Sequence, residues 1–301
     1  MPDSSKSLVV KISSNLVIDD DDKIDLDILH QMMEAGLEAL AAPIEHIRFL
    51  QDKLGVGNTI GLKVNTIGGP KMSTRPDVVR ALSRILNEAG ISPKNQIIWD
   101  RFDSELSEVG YKINSRGVGP YCFGTDHPGV GYSSELVSNG KVGGLLSRIL
   151  TDYCQSIINV PVLKDHGVAG ITGALKNQYG SIHNPNKYHG TGCNPYIADL
   201  NSLEQIKSKQ RLIIMDALKV QFQGGPAYQK RWSANCGMLL FGLDPVAIDT
   251  IGYGIIENLR EKAGLEKIKG SKREPVYLKT AAYNGLGKNE ISQIELKALI
   301  M

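Results

Sequence analysis

The chain has 301 residues, 42% of them hydrophobic and 22% charged, so it is long enough to bury one large core or two smaller ones. Its net charge of +2, from 34 basic and 32 acidic residues, gives no electrostatic reason to expect a nucleic acid as partner. No apolar run reaches the roughly 18 residues that a membrane span needs, which predicts a soluble protein without a membrane span.

Short β-type runs alternate with longer helical patterns along the chain. Strands are predicted at residues 7–12, 60–67, 96–99, 157–163, 211–219, 237–242 and 291–296. Helices are predicted after Asp25, over 76–88 with Thr74 as N-cap, over 168–179, over 203–209, and over 245–263 after Asp244. The alternation predicts an α/β fold, with a mostly parallel sheet and helices on both faces.

The glycine-rich stretch 110–144 has no clear period, and we interpret it as an excursion or flap. The chain is then either one unit over 1–301 or two lobes, 1–115 and 116–301. Its four cysteines are scattered without a C-x-x-C pair, which predicts free thiols or at most one disulfide.

Residues 160–199 contain three of the six histidines, one of the four cysteines and six glycines. A bare backbone of this kind lets the chain approach a ligand closely, so we expect the chemistry here. His166 ends an apolar strand, where a general acid or base would be held rigidly, or it caps the next helix. Lys176 is a nucleophile or tether in a partly enclosed site, or a surface lysine. Asp100, which follows the third strand, is the remaining catalytic candidate.

Ligands of open α/β sheets bind beyond the carboxyl ends of the strands. Several predicted strand ends carry basic or amide residues beside glycine-rich turns, which suits a phosphate or a carboxylate. The alternative is that the lysines merely reach solvent. No loop has the phosphate-binding pattern of common nucleotide sites. The candidate anion-binding residues are Lys63, Asn65, Lys71, Arg75, Arg101, Lys164 and Asn177.

His183, His189 and Cys193 lie close together in sequence, in a loop interrupted by proline. Imidazole and thiolate groups together bind borderline-soft metals, so these three residues are a candidate site for Ni, Zn or Fe. The alternative is that the histidines hydrogen-bond to turn backbone and that the cysteine is packed.

The motifs of residues 6–290 resemble, in family order, the family known as domain of unknown function 362. The likeness runs through Ile60–Asn65, IIWDRF, VPVLKDH, GALKN and DPVAIDTIG. Members often carry a twin-arginine export signal or a ferredoxin-type module. The resemblance therefore implies a ferredoxin-type partner. It also implies an extracytoplasmic location if a leader has been removed, and a cytoplasmic one otherwise.

The run from His166 to Lys176 remotely resembles the nickel-pincer-nucleotide lactate racemase family, as does Thr74-Arg75-Pro76. That likeness implies His166 as catalytic base, Lys176 as tether of a metal–nucleotide cofactor and His189 as metal ligand. The chain departs from the family at Ala174 and Leu175, which replace small residues.

The leading hypothesis is an enzyme that moves a proton or hydride on a small anionic substrate, as an isomerase of racemase type or an oxidoreductase. The cofactor is unknown, with a transition metal or a metal–nucleotide as candidates. The alternative is an exported, non-catalytic protein that binds an anion or metal and associates with iron–sulfur redox partners.

Overall fold

A large sheet runs through the part of the chain that the structure, a computed structural model, describes, namely residues 6–301. The strands are β1 (Ser7–Ser13), β2 (Ile60–Lys63), β3 (Gln96–Trp99), β4 (Tyr121–Cys122), β5 (Tyr132–Asn139), β6 (Val142–Ser147), β7 (Ser156–Asn159), β8 (Val162–His166), β9 (Gly170–Thr172), β10 (Gln210–Gln221), β11 (Ser233–Gly242) and β12 (Ile294–Ile300). The α-helices are α1 (Leu26–Ala41), α2 (His46–Leu54), α3 (Pro76–Glu88), α4 (Asp103–Val109), α5 (Ala174–Asn177), α6 (Tyr196–Asn201), α7 (Glu204–Lys207), α8 (Pro245–Lys262) and α9 (Tyr277–Tyr283).

The main sheet has the order β12-β1-β11-β10-β7-β2-β3-β4, with β8 and β9 attached to β10. Most neighbours are parallel; β11 is antiparallel to both β1 and β10, and β9 is antiparallel to β8. The predicted α/β fold with a mostly parallel sheet is therefore confirmed.

Helices cover both faces of this sheet. Adjacent strand residues point to opposite faces, and Ile157 and Ile158 accordingly belong to two different apolar clusters. Helices α1, α2 and α3 pack into the cluster of Ile158, and α6, α8 and α9 into that of Ile157. No helix within residues 6–301 is long and apolar enough to cross a membrane.

The predicted strand over 157–163 is two strands, β7 and β8, because Pro161 lacks the N–H that would continue the ladder. Strand β7 lies between β2 and β10, whereas β8 pairs only with β10 and β9. The sheet therefore opens between β8 and the carboxyl end of β2. This opening positions the candidate site.

Asp25 and Asp244 accept the first backbone N–H groups of α1 and α8, which confirms both predicted N-caps. Thr74 as N-cap is wrong, because Arg75 occupies that position. The Thr74 hydroxyl instead donates to the Val160 carbonyl at 2.6 Å and accepts from the Asn65 N–H at 3.0 Å. It thereby holds the segments after β2 and β7 together.

The predicted helix over 168–179 is also wrong: the segment forms β9 and then the one-turn helix α5. Gly170 has a φ of +80°, which breaks a helix and suits the β8–β9 hairpin. The predicted excursion contains β4, at the edge of the main sheet, and the β5–β6 hairpin outside it. The main sheet has strands on both sides of residue 115, and the division into two lobes stays a prediction. All four cysteines are free, so the disulfide alternative is wrong.

Candidate functional site

Strands β2 and β3 end in a buried ion pair. The Lys63 Nζ atom lies 2.8 Å from Asp100 Oδ1 and donates to the Val64 carbonyl at 2.7 Å. The second Asp100 oxygen accepts from the N–H and the hydroxyl of Thr66 at 2.9 and 2.8 Å. Burial lowers the pKa of Lys63, while the Asp100 carboxylate raises it. Because both members of the ion pair make several hydrogen bonds, the pair is held rigidly and forms the floor of the site.

Asn177 on α5 connects the helix to the segment that carries this ion pair. Its amide nitrogen donates to the Lys63 carbonyl at 3.1 Å and to Asn159 at 2.8 Å, and its oxygen accepts from Asn65 at 3.3 Å. Gly180 then passes so close that a Cβ atom there would lie 2.6 Å from both Asp100 Oδ1 and Lys63 Nζ. The glycine makes room for the protein's own ion pair.

Above the ion pair lies a cavity of about 340 Å³ between the carboxyl ends of β2, β3 and β8. All three predicted catalytic residues line it, together with three of the predicted anion-binding residues. These six are His166, Lys176, Asp100, Asn65, Arg101 and Asn177.

His166 is neutral in this site. Its Nδ1 atom accepts from the N–H groups of Val168 and Ala169 at 3.2 and 3.1 Å, so Nδ1 carries no proton. Burial, and next the charge of Lys176, lower the pKa of His166 to about 2. The Nε2–H group is therefore what His166 presents to the cavity, and it is a donor.

His189 has the opposite arrangement. Its Nδ1 atom lies 3.3 Å from the Asn186 carbonyl, which can only accept, so Nδ1 carries the proton. Its Nε2 atom is 3.2 Å from Lys176 Nζ and accepts from it. Burial, and next the Lys176 charge, lower the pKa of His189, so this ring is a neutral acceptor. The His189 ring stacks on His166 with centroids 5.7 Å apart.

Lys176 is only 8% exposed, and its Nζ lies 4.3 Å from the centroid of the Tyr179 ring. Within residues 6–301, no carboxylate lies within ion-pair distance of it. Burial lowers the pKa of Lys176 to about 8, an effect that the nearby Cys193 thiol opposes. Near physiological pH the ammonium form therefore still predominates, but the neutral amine is far more populated than in an exposed lysine.

Three buried polar atoms of the cavity walls have no hydrogen-bond partner in the described part of the chain. They are Asn65 Oδ1, Arg101 Nε and Thr172 Oγ1. Buried polar atoms are normally paired, and these three unpaired atoms belong to residues that line the cavity. Burial, and next the Asp100 charge, raise the pKa of Glu105, which also lines the cavity and is thus more easily neutral than an exposed glutamate.

The carboxylate of Asp249 on α8 holds α5 in place. Its two oxygens accept from the N–H groups of Ala174 and Leu175 at 2.6 and 3.0 Å. A Cβ atom on Gly173 would lie 2.2 Å from Asp249 Oδ1, which explains the glycine there. Burial raises the pKa of Asp249 to about 7, and the two backbone N–H groups lower it.

The loop that carries His189 has strained backbone. Asn184, Thr191 and Cys193 all have positive φ angles, of 51°, 50° and 62°. For a β-branched residue such as Thr191 this conformation costs about 1–3 kcal/mol, and such strain is concentrated at functional sites.

Four predicted anion-binding residues do not line the cavity. Lys63 and Lys164 are sealed beneath it, and Lys164 Nζ donates to the Met72 carbonyl at 2.9 Å. Lys71 and Arg75 instead lie around Asp22 in a separate surface cluster, at 3.4 and 3.5 Å from its side-chain and carbonyl oxygens.

The three predicted metal ligands are not brought together. His183 is exposed and packs edge-on against the Tyr132 ring at 5.0 Å, whereas His189 faces Lys176, and Cys193 is buried near Tyr179. In the described residues, three metal-binding side chains converge only at the surface, on His30, Glu34 and Glu88.

Several residues of the site were not predicted from the sequence. Glu105 belongs to α4, a short helix without a strong pattern, and Asp249 lies inside DPVAIDTIG, where it resembles an ordinary polar helix residue. An acid inside the apolar stretch of a helix, opposite a glycine-rich turn, is the signal that marks Asp249.

Comparisons with known proteins give a family but no activity. A family model described as a domain of unknown function (DUF362) matches residues 60–254. None of the curated proteins matches the chain. A crystal structure of a structural genomics target from Thermotoga maritima is 11% identical, with a TM-score of 0.38, over 84% of this chain and 59% of that one. The chain thus spans less than two thirds of that protein, and the likeness to the racemase family finds no support in these matches.

Proposed function

We propose a function from the cavity itself, because the chain belongs to the DUF362 family, whose description assigns no activity. The protein is an enzyme that carries out acid–base chemistry on a small anionic substrate bound between β2, β3 and β8. The observation that carries this proposal is a stacked pair of neutral histidines with protons on opposite nitrogens, one of them hydrogen-bonded to a buried lysine.

The division of roles follows from these hydrogen bonds. The His166 Nε2–H group donates a hydrogen bond to an oxygen on which negative charge develops. The ring does this in its neutral form, without first taking up a proton. The His189 Nε2 atom exchanges a proton with Lys176 across 3.2 Å. Since both oxygens of Asp100 are engaged by Lys63 and Thr66, Asp100 acts as a positioning residue.

The unpaired cations support an anionic substrate. Neither Lys176 nor Arg101 has a carboxylate within ion-pair distance among residues 6–301. A carboxylate ligand would supply the charge partner that the Arg101 guanidinium, which lines the cavity, otherwise lacks. A cavity of about 340 Å³ suits a small molecule of this kind.

The proposal is tested by incubating the full chain in D2O with lactate, malate, pyruvate and 2-oxobutyrate, and following carbon-bound hydrogens by ¹H NMR. The protein is purified without chelator, and its metal content is recorded by plasma mass spectrometry. We expect exchange or conversion of at least one acid, lost in His166→Ala and retained in His183→Ala, since His183 is exposed and away from the cavity. Saturable binding without exchange or conversion would support the non-catalytic alternative instead.

A further inference from the structure

The described part of the chain contains four lysines that are buried at least nine-tenths, and their surroundings differ. Lys63 is paired with Asp100, and Lys219 is paired with Asp22. Lys164 is fully buried, donates to one backbone carbonyl and does not line the cavity. Lys176 alone both lines the cavity and lacks a carboxylate partner. It is therefore the one of the four buried amines that a ligand in this cavity can reach.

From these contacts we infer that Lys176 forms a covalent iminium bond with the carbonyl carbon of a small 2-oxo acid. The inference deepens the proposed function and rests on it, because it names the substrate class of the same cavity. Arg101, which lines the cavity without a carboxylate partner, binds the carboxylate of the acid. The neutral amine of Lys176, which burial favours, attacks the carbonyl carbon.

The neighbouring groups meet the needs of such a step. The Lys176 ammonium passes a proton to His189 Nε2, 3.2 Å away, and the amine nitrogen then attacks the carbonyl carbon. His166 Nε2–H donates to the carbonyl oxygen while that oxygen carries negative charge.

The reaction balances without an oxidant or reductant. A C–N bond forms and the C–O bond breaks. Two of the three ammonium hydrogens leave with the carbonyl oxygen as water, carried through His189, and the third stays on the iminium nitrogen. The positive charge of Lys176 is thus conserved in the product.

The test is reductive trapping. The full chain is incubated with pyruvate, 2-oxobutyrate, oxaloacetate or 2-oxoglutarate, with and without sodium borohydride, and digested for peptide mass spectrometry. Borohydride delivers a hydride to the iminium carbon and leaves a stable secondary amine. The expected result is a Lys176 peptide heavier by the acid less one oxygen atom. Lactate with borohydride should give no adduct.

Lys187→Met is the matched control for Lys176→Met. Its Nζ also lies over a tyrosine ring, that of Tyr188 at 4.9 Å, but Lys187 is exposed. The adduct should persist in Lys187→Met and disappear in Lys176→Met. If Lys176→Met fails to fold, fragment sequencing of the wild-type adduct still assigns the modified lysine.

Two results overturn the inference and separate it from the proposed function. If an acid is turned over or exchanged in D2O but is never trapped on Lys176, the inference of an iminium is wrong. The proposed acid–base enzyme is then unaffected. If no acid of either series binds, exchanges or is trapped, the proposed function fails and the inference fails with it.

Discussion

His166 and His189 stack with ring centroids 5.7 Å apart, and their hydrogen bonds leave their protons on opposite nitrogens. The first ring offers a donor to the cavity and the second accepts from Lys176. Two neutral rings with divided roles are a more specific arrangement than two exposed histidines, and burial is what keeps both neutral.

Replacing Lys176 by Met should stabilise the protein while abolishing its activity. The pKa of Lys176 is about 8 in the folded chain, against an ordinary value of 10.5, so the folded state is penalised whenever the amine is charged. The penalty is complete below pH 8 and vanishes above about pH 10.5. We expect the free energy of unfolding to rise by roughly 1–3 kcal/mol at pH 7, less at pH 10, in urea titrations.

The matched control is Lys63→Met, which leaves the Asp100 carboxylate buried without its cation. It should lower the free energy of unfolding by about 3–5 kcal/mol. A loss of stability in Lys176→Met comparable to that of Lys63→Met would contradict the account of Lys176 as an unpaired buried amine.

His166 should make the protein sensitive to acid. Its pKa is about 2 in the folded state, against an ordinary value of 6.5, so below pH 6.5 only the unfolded chain takes up the proton. Stability due to this neutral ring is present above pH 6.5 and declines by about 1.4 kcal/mol per pH unit below it. Unfolding titrations between pH 7 and pH 4 should show a shallower decline in His166→Gln than in wild type. An equal decline in both would contradict the buried neutral ring, and His183→Gln serves as the exposed control.

Asp249→Ala should displace α5 and lower both stability and turnover. It leaves the N–H groups of Ala174 and Leu175 without an acceptor, at a cost of about 1–3 kcal/mol each. Asp249→Asn keeps one acceptor and should lose less. For comparison, Asp244→Asn changes the N-cap of α8, away from the cavity, and should leave turnover of the bound acid unchanged. Equal effects of Asp249→Ala and Asp244→Asn on turnover would exclude a positioning role.

Gly180→Ala should disturb the ion pair below the cavity. The added methyl group would lie 2.6 Å from atoms of both Lys63 and Asp100, which are themselves held by other contacts. We expect a loss of about 1–3 kcal/mol in the free energy of unfolding. The control is Gly190→Ala, where the nearest atom to the added methyl group is 3.9 Å away. It should change the free energy of unfolding by about a few tenths of a kcal/mol at most. Similar losses in both variants would show that the ion pair shifts easily to accommodate the methyl group.

Much of the site follows from the sequence because the carboxyl ends of parallel strands meet at one edge. That rule brings Asp100, Arg101 and His166 to the same cavity from β3 and β8. It fails for Lys71 and Arg75, whose side chains contact Asp22, far away in sequence, instead of the cavity.

The interpretation of the glycines was only partly correct. They allow close approach, but Gly173 and Gly180 admit the protein's own Asp249 and Asp100. Such long-range contacts have no local pattern. The same holds for the segment over 168–179, where apolar residues at helical spacing form a hairpin because Gly170 adopts a positive φ.

The most direct test is ¹⁵N NMR of the histidine side chains, with and without added 2-oxo acid. This assignment predicts a protonated Nε2 for His166 and a protonated Nδ1 for His189 between pH 7 and pH 8, and saturable changes of both signals as the acid binds. It would be contradicted if both rings held their protons on the same nitrogen, or if neither signal responded to any of the acids.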